Sequence, residues 1–158
     1  ETITAYFWRI NNINARIARI FNTYGPSMLA IDKRMIVSFI TQALKNEPIT
    51  IFGDGSQTRS LCFIDDMIEG LMRLMFYPKT KETIVNLGAP EEHTVMEFAQ
   101  IVKRLLDSKS KIVCTEKLPI DDPKKRCADI TLSKKLLQWE PKVSLEEGLK
   151  KTINYFKV

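Results

Sequence analysis

The chain has 158 residues, which is enough for one domain with a hydrophobic core of its own. Its composition is ordinary for a globular protein, at 44% hydrophobic and 27% charged residues, and no apolar run approaches the roughly 18–20 residues of a membrane-spanning helix. The net charge of +5 comes from scattered lysines and arginines rather than from one long basic block, which disfavours nucleic acid and favours a small anionic ligand.

A helix, a strand and a turn are predicted at the start of the chain. Four apolar residues at helical spacing predict a helix over Glu1–Ile13. The run ARIARIF predicts a buried strand over Ala15–Phe21, which the turn residues of Asn22–Pro26 end. Since the chain opens inside a helical pattern at Glu1 rather than at a methionine, we expect it to be a fragment or a processed form.

Two helices and two strands are predicted next, over Lys33–Lys45, Pro48–Phe52, Ser60–Ile64 and Met67–Phe76. Asp65 or Asp66 is expected to cap the second of these helices, because carboxylates accept hydrogen bonds from the free N–H groups of a first turn.

The last third continues the interleaving of helices and strands. Strands are predicted over Thr83–Gly88 and Lys111–Thr115, a polar loop over Pro119–Asp129, and a short helix over Thr131–Leu137. Two S/T-x-x-E capping boxes, at Thr94–Glu97 and Ser144–Glu147, predict helices that run to about Leu106 and Phe156. The alternation predicts an α/β fold.

The segment GDGSQTRS, residues Gly53–Ser60, resembles a dinucleotide-binding loop with Thr58 at the third glycine position. Such a loop must lead into a helix whose N-terminus holds the pyrophosphate, but the residues that follow are typical of a strand. We therefore predict a tight β-hairpin turn at Asp54-Gly55. Arg59 beside that turn remains a candidate for binding phosphate, because a guanidinium can bind it through two hydrogen bonds.

Three other polar residues are candidates for ligand binding. Arg126, with Asp129 three residues later, forms either a nucleotide-recognition pair or part of a solvated loop. Asn22 follows a strand, at the sheet edge where α/β proteins bind ligands, and either binds a ligand or caps the turn.

Three further patterns are interpreted as structural. The cysteines and the single His93 lack the spacing of metal ligands, so no metal site is predicted, and His93 is expected in a loop or at a helix cap. Tyr77 and Lys81 match the Y-x-x-x-K motif, but Pro78 prevents them from sharing a helix face. The paired acids, among them Asp121/Asp122, are interpreted as caps rather than as an acid–base pair.

Several segments together resemble the carboxyl-terminal half of the UDP-glucuronic acid decarboxylases, in the extended short-chain dehydrogenase/reductase family. These are ARIARIFNTYGPSM, FITQALKNEPITIFGDGSQTRSLCFIDDMIEGL, VNLGAPEEHTVMEFAQ, DDPKKRCADI and LLQWEPKVSLEEGLKKTINYF. The resemblance covers essentially the whole chain. It implies the substrate-binding portion of an NAD(P)-binding Rossmann-like fold, with 1–28 as its last Rossmann helix and strand and 29–158 as mostly substrate-binding lobe.

The resemblance also implies roles for individual residues. Asn22, Arg59 and Arg126 would contact the diphosphate of a UDP-sugar, and Asp129 would hold the ribose. Further roles are implied at the mouth of the sugar pocket, near the base and beside the nicotinamide of NAD, for Arg34, Phe52 and Thr23 respectively. No catalytic residue is expected in this chain, because the family's NAD loop and its Y-x-x-x-K pair would precede Glu1.

The expected activity is therefore the binding of UDP-glucuronate for NAD-dependent conversion to UDP-xylose, with the chain alone inactive. A nucleotide-sugar 4,6-dehydratase or 4-epimerase, and a non-enzymatic binding or interaction module, are the alternatives. The family implies a homodimer whose helices include Glu1–Ile13. A soluble protein in the cytoplasm or the Golgi lumen is expected, with the compartment left open.

Overall fold

The computed structural model describes residues 1–78, 80–115 and 123–157. Its helices are α1 Thr2–Asn11, α2 Met35–Leu44, α3 Ile64–Phe76, α4 Val95–Leu106, α5 Thr131–Leu137 and α6 Leu145–Phe156. Its strands are β1 Ile17–Ile20, β2 Thr23–Tyr24, β3 Ile49–Phe52, β4 Thr58–Arg59, β5 Cys62–Phe63, β6 Ile84–Leu87, β7 His93–Thr94, β8 Ile112–Thr115 and β9 Lys125–Arg126. The mixture confirms the predicted α/β class.

Most strand pairs are parallel and join segments far apart in the sequence. Strand β1 pairs with β6, β2 with β5, and β3 with β8. Strand β4 is the centre of a small sheet, antiparallel to β7 and parallel to β9. Parallel pairs need a crossover between their strands, and the intervening helices supply the layers that cover the sheets.

Two hydrophobic clusters form the core. The first lies between α2, α4, α6 and β3 and includes the fully buried Ile40, Phe98 and Leu149. The second lies between α3, α5 and β6 and centres on the buried Trp139. The indole Nε1 of Trp139 donates to the carbonyl of Asp66 at 2.9 Å, so the polar edge of this large side chain is satisfied inside the core.

The predicted cap of α3 is wrong. The helix begins at Ile64 with Phe63 at the N-cap position, and no side chain caps it. The carboxylate of Asp66 instead accepts a hydrogen bond from the N–H of Val143 at 2.9 Å and is only 3% exposed. Asp66 therefore anchors the segment before α6, a contact between residues 77 positions apart that local pattern does not encode.

The predicted hairpin is also wrong, and the strand predicted after it is shorter than expected. Strand β3 pairs with β8 and β4 pairs with β7 and β9, so the two strands on either side of Asp54-Gly55 are not partners. The predicted strand over Ser60–Ile64 is present only as the two-residue β5, Cys62–Phe63, which belongs to a different sheet from β4. Pairing with distant segments decides these strands, not the apolar run itself.

The helix caps follow the sequence more closely. At Thr94 both halves of the capping box are present, as predicted. At Ser144 the hydroxyl oxygen accepts from the N–H of Glu147, but the Glu147 carboxylate pairs with Lys151 at 2.9 Å. The short helix Thr131–Leu137 has the predicted bounds.

The predicted polar loop Pro119–Asp129 is described only from residue 123 onwards, and its Lys125–Arg126 segment forms β9 rather than loop. The acid pair Asp121/Asp122 lies outside the described residues. Within the described ranges, no helix has both the length and the apolar content needed to cross a membrane.

Candidate functional site

The Gly53–Ser60 segment forms hydrogen bonds to the start of a helix and does not have the form of a phosphate-binding loop. Gly53 and Gly55 have φ values of 71° and 78°, and the Asp54 carboxylate accepts from the N–H of Ser56 at 2.9 Å, which lowers the pKa of Asp54 together with a bond from the Ser56 hydroxyl. The carbonyl of Gly55 then accepts from the N–H of Met96 at 3.1 Å. The loop thus satisfies free N–H groups at the start of α4.

Packing and backbone conformation also favour glycine at position 55. A Cβ at this position would lie 3.2 Å from the Cβ of Met96 and 3.3 Å from the Cγ2 of Ile51, in a left-handed backbone conformation that favours glycine. The glycines of this segment are explained by the turn and its contact with α4, so they do not form a dinucleotide-binding loop.

Arg59, at the end of the same segment, lies in the central strand of the small sheet. It is 7% exposed, and its Nη1 donates to the carbonyl of Thr58 at 2.7 Å. Its cross-strand partners are His93 on β7 and Arg126 on β9. Two guanidinium-bearing residues therefore stand side by side on adjacent strands.

A cavity of about 330 Å³, here called the arginine cavity, brings most of the predicted site residues together. Its lining comprises Asn22, Thr23, Tyr24, Met28, Arg34, Met35, Ile36, Arg59, Leu61 and Arg126. Five of these, Asn22, Thr23, Arg34, Arg59 and Arg126, are residues that the sequence singled out. The cavity combines three guanidinium groups with an apolar wall, which suits an anionic ligand that has an organic portion.

Asn22 and Thr23 reach the arginine cavity because they follow the carboxyl end of β1. The carbonyl of Asn22 accepts from the N–H of Cys62 at 2.9 Å, and the hydroxyl of Thr23 donates to the carbonyl of Phe21 at 2.9 Å. These bonds fix the chain where it leaves one sheet for the next, at the strand end where open α/β sheets bind ligands.

Arg34 stands at the N-cap of α2, so the start of this helix also borders the cavity. Asp32 holds it there. Its carboxylate accepts from the Arg34 backbone N–H at 3.0 Å and from Nε at 2.6 Å, and these bonds lower the pKa of Asp32. The free N–H groups of the first helical turn add a partial positive charge to that of the three arginines.

Phe52 lies in a neighbouring depression, here called the Phe52 depression, of about 180 Å³. It is the last residue of β3, and its side chain is 57% exposed. Arg59 and Met35 line both spaces, so the two adjoin. A flat apolar group in the Phe52 depression would lie next to an anion bound by Arg59.

Asp129 is the predicted site residue that the lining of these two spaces does not include. Its carboxylate accepts from the N–H of Thr131 at 2.9 Å, and hydrogen bonds from Thr131 lower the pKa of Asp129. Its carbonyl accepts from the side chain of Asn86 at 2.9 Å. In the described structure Asp129 supports the start of α5, and its predicted contact with a ribose stays a prediction.

Several lining residues were not singled out from the sequence: Tyr24, Met28, Met35, Ile36 and Leu61. The sequence pointed to these positions only indirectly, because they lie close in the chain to the predicted site residues Asn22, Arg34 and Arg59. Tyr24 has a structural role as well, since its hydroxyl donates to the carbonyl of Leu145 at 3.2 Å and burial raises its pKa.

The patterns interpreted as structural can be compared with the described residues. Helix α3 ends at Phe76 and Tyr77 has extended backbone angles, so Tyr77 and Lys81 do not share a helix face. His93 is in β7, directly before the N-cap of α4, and its ring lies against Phe98. No group of three metal-ligating side chains occurs in the part of the chain that the structure describes.

The described residues do not fit the pyrophosphate of NAD as a dinucleotide loop would. The one glycine-rich segment, Gly53–Ser60, leads into β4 and caps α4 through its carbonyls, so its N–H groups do not form a cradle at a helix N-terminus. Thr23, at the edge of the arginine cavity, is the residue predicted to border this cofactor.

Comparison with known proteins shows which family this chain resembles. The model of the NAD dependent epimerase/dehydratase family matches residues 1–88. UDP-glucuronic acid decarboxylase 4 of Arabidopsis thaliana is 47% identical over 157 residues, which are 99% of this chain and 35% of that protein. The chain thus spans about a third of the length of this curated relative.

Two solved structures superpose on nearly the whole chain. An epimerase from Methanothermobacter thermautotrophicus has a TM-score of 0.93 at 31% identity, over 99% of this chain and 47% of its own. A UDP-glucuronic acid 4-epimerase from Bacillus cereus, solved with UDP-glucuronic acid and NAD, has a TM-score of 0.90 at 29% identity, over 99% and 49%.

These likenesses confirm the predicted Rossmann-like fold, and the family description confirms NAD as the cofactor of the family. More than half of the chain matches one family model, since the match covers residues 1–88 of 158. The chain belongs to the NAD dependent epimerase/dehydratase family.

Proposed function

We propose that this chain is the nucleotide-sugar-binding part of an NAD-dependent UDP-glucuronate decarboxylase, which makes UDP-xylose. The observation that carries the proposal is the convergence of Arg34, Arg59 and Arg126 with Asn22 on one cavity. Each comes from a different element, so the fold rather than local sequence assembles the set.

The arginine cavity suits a diphosphate in charge and in geometry. Arg59 and Arg126 are neighbours across two strands, and guanidinium groups bind phosphate oxygens through paired hydrogen bonds. The first turn of α2 offers N–H groups on the side of Arg34. A diphosphate between these groups would place its negative charge beside three guanidinium groups.

The remaining parts of a UDP-sugar have places beside this anion site. We assign the base to the Phe52 depression, which shares Arg59 and Met35 with the arginine cavity. We assign the ribose to Asp129, as the resemblance implies, and the nicotinamide edge of the cofactor to Thr23. When bound, NAD would supply the oxidation and reduction of the sugar, and the residues of this chain would hold the sugar nucleotide in place.

The decarboxylase assignment is supported by the 47% identity to a UDP-glucuronic acid decarboxylase over nearly the whole chain. The 158 residues contain neither a G-x-G-x-x-G loop nor a Y-x-x-x-K pair within one helix. We therefore expect the chain alone to bind the substrate without turnover. UDP-xylose formed from UDP-glucuronate and NAD by the purified chain would contradict this expectation.

A 4-epimerase is the second candidate. The specific observation in its favour is the TM-score of 0.90 to an epimerase solved with UDP-glucuronic acid. Identity favours the decarboxylase, at 47% against 29% for that epimerase. Both candidates require the same diphosphate site.

The family resemblance adds a homodimer to the proposal. Helix α1 supports it, because its apolar side chains Ile3, Tyr6, Phe7 and Ile10 are all exposed. A second copy that packs on this face would remove them from water.

The binding proposal is tested by titrating the chain with UDP in a calorimeter. Arg59→Ala removes one charged partner of the diphosphate and is expected to weaken binding by about 1.5–3 kcal/mol, or roughly 10- to 150-fold. Arg104→Ala is the matched control, since Arg104 also carries one positive charge but lies on α4, where it pairs with Glu146 at 3.0 Å. Equal affinity of the Arg59→Ala variant and the unmodified chain would remove Arg59 from the site.

A further inference from the structure

One carboxylate joins the three strands of the small sheet that carries Arg59 and Arg126. The residue is Glu92, directly before β7. Its Oε1 accepts from the hydroxyl of Thr58 on β4 at 2.8 Å, and its Oε2 pairs with Nζ of Lys125 on β9 at 2.8 Å. The Glu92 side chain is 23% exposed and that of Lys125 is 71% exposed, so the carboxylate is the more sheltered end of this bridge.

The bridge and the arginines lie on opposite faces of the sheet. Thr58 and Lys125 are cross-strand partners, and so are the residues that follow them, Arg59 and Arg126. Successive side chains along a strand point to opposite faces. Glu92 therefore holds β9 against β4 from one side, while the two guanidinium groups project on the other.

The pairing of β4 with β9 is short, so a side-chain contact across it can add to its stability. Each strand has two residues, and the hydrogen bonds between them include Thr58 N–H to the Lys124 carbonyl at 2.9 Å and Ser60 N–H to the Arg126 carbonyl at 3.1 Å. Strand β9 carries two positive charges, on Lys125 and Arg126.

Glu92 supplies the opposing negative charge. Hydrogen bonds from Lys125 and then from Thr58 lower the pKa of its carboxyl group, so Glu92 is ionised at neutral pH. The Glu92 hydrogen bond likewise raises the pKa of Lys125. Both Glu92 and Lys125 are therefore charged under the conditions in which a diphosphate would bind.

We propose that Glu92 is a positioning residue that fixes Arg126 beside Arg59 for the diphosphate, through Lys125 and Thr58. The inference rests on the proposed function of the arginine cavity and adds a residue outside its lining. Glu92 touches no ligand in this scheme, since its contacts lie on the opposite face of the sheet from the arginines.

Two measurements on the full chain test it, UDP affinity and hydrogen exchange of the Ser60 amide. Glu92→Gln keeps an acceptor for Thr58 but removes the charge that holds Lys125. It is expected to weaken UDP binding about three- to fivefold. It should also accelerate exchange of the Ser60 N–H, the donor to Arg126, by a similar factor without UDP. Glu91→Gln is the matched control, because Glu91 is the adjacent carboxylate and is 73% exposed.

A double-mutant cycle separates positioning from a general effect of charge. If Glu92 acts through Arg126, Glu92→Gln should change UDP affinity less than twofold when Arg126 is already alanine. The inference is overturned if Glu91→Gln weakens binding equally, if the loss persists at full size in Arg126→Ala, or if Ser60 exchange is unchanged. If the unmodified chain does not bind UDP, the proposed function fails instead, and Ser60 exchange alone decides whether Glu92 holds β9.

Discussion

At the scale of single residues, the contact between Tyr24 and Gly148 shows how the cavity wall is held from behind. Tyr24 lines the arginine cavity, yet it is 2% exposed and its hydroxyl donates to the carbonyl of Leu145, the first residue of α6. Gly148 on α6 leaves room for that hydroxyl, because a Cβ there would lie 2.2 Å from the Tyr24 oxygen. Glycine is required at this position by close approach.

Gly148→Ala is therefore expected to destabilise the chain by about 1–3 kcal/mol, the usual cost of overpacking a core. Denaturant unfolding measures the loss. Tyr24→Phe in the same chain removes the clashing oxygen, so the double variant should be more stable than Gly148→Ala alone. An undiminished loss in the double variant would show that the hydroxyl is not the obstacle.

Individual polar residues of the candidate site could be singled out from local sequence patterns, but those patterns did not show that the residues line one cavity. Asn22, Arg59 and Arg126 are polar residues at strand ends or turns, which is a local signal. The cavity that joins them depends on β4 pairing with β9 across 66 residues of sequence. Glu92 gave no signal of its own, because its two partners lie 34 residues before it and 33 residues after it.

At the scale of elements, the capping box of α4 ties a local sequence signal to the site. Thr94 Oγ1 accepts from the Glu97 N–H at 3.1 Å, and the Glu97 carboxylate accepts from the Thr94 N–H at 2.6 Å. The same helix start receives the carbonyls of the Gly53–Ser60 loop, so the box also steadies the segment that leads to Arg59.

Thr94→Ala should cost about 1 kcal/mol of stability at neutral pH, the usual value for a lost N-cap. The Glu97 half of the box is expected to depend on pH. The bonds from Thr94 lower the pKa of Glu97 below its ordinary 4.5, so its stabilisation is present above pH 4.5 and is lost as the pH falls through the lowered value.

Thermal unfolding of Glu97→Ala against pH checks this second part. The variant should melt below the unmodified chain at pH 7, and the difference should shrink in acid. Gln100→Ala, an exposed position on the same helix, is the control and should show no such trend. A constant difference between pH 7 and pH 3 would show that the carboxylate is not the group responsible.

The ends of the helices were predicted to within about three residues, because the sequence signals for helices are local. Most of the short strands were not predicted from the sequence. Helices α4 and α5 begin at or next to the predicted residues, since caps and apolar spacing lie within one turn. The two-residue strands β4, β5, β7 and β9 exist only because each meets a distant partner. The prediction of a hairpin at Asp54-Gly55 was wrong for that reason.

At the scale of the whole molecule, the fold was identified by resemblance rather than by pattern. Alternating helices and strands predict an α/β chain, but they do not specify which strands pair. The likeness to the epimerase/dehydratase family identified the Rossmann-like fold, and solved structures superpose on 99% of the chain. The division at residue 28 stays a prediction.

The whole chain has a net charge of +5, so weak electrostatic attraction of any anion must be separated from binding in the arginine cavity. Uridine makes the separation possible, because it shares the base and ribose of UDP but lacks the diphosphate. Inorganic pyrophosphate supplies the opposite comparison, with the charge but without the base.

The most direct measurement is a titration of the ¹⁵N-labelled chain with UDP, followed by the amide chemical shifts. UDP should shift the signals around Asn22, Arg59 and Arg126 together with those of the Phe52 depression. Pyrophosphate should shift only the signals around the three named residues. Uridine should bind far more weakly than UDP. Shifts that uridine reproduces, or UDP shifts that lie away from the arginine cavity, would contradict a diphosphate site formed by these arginines.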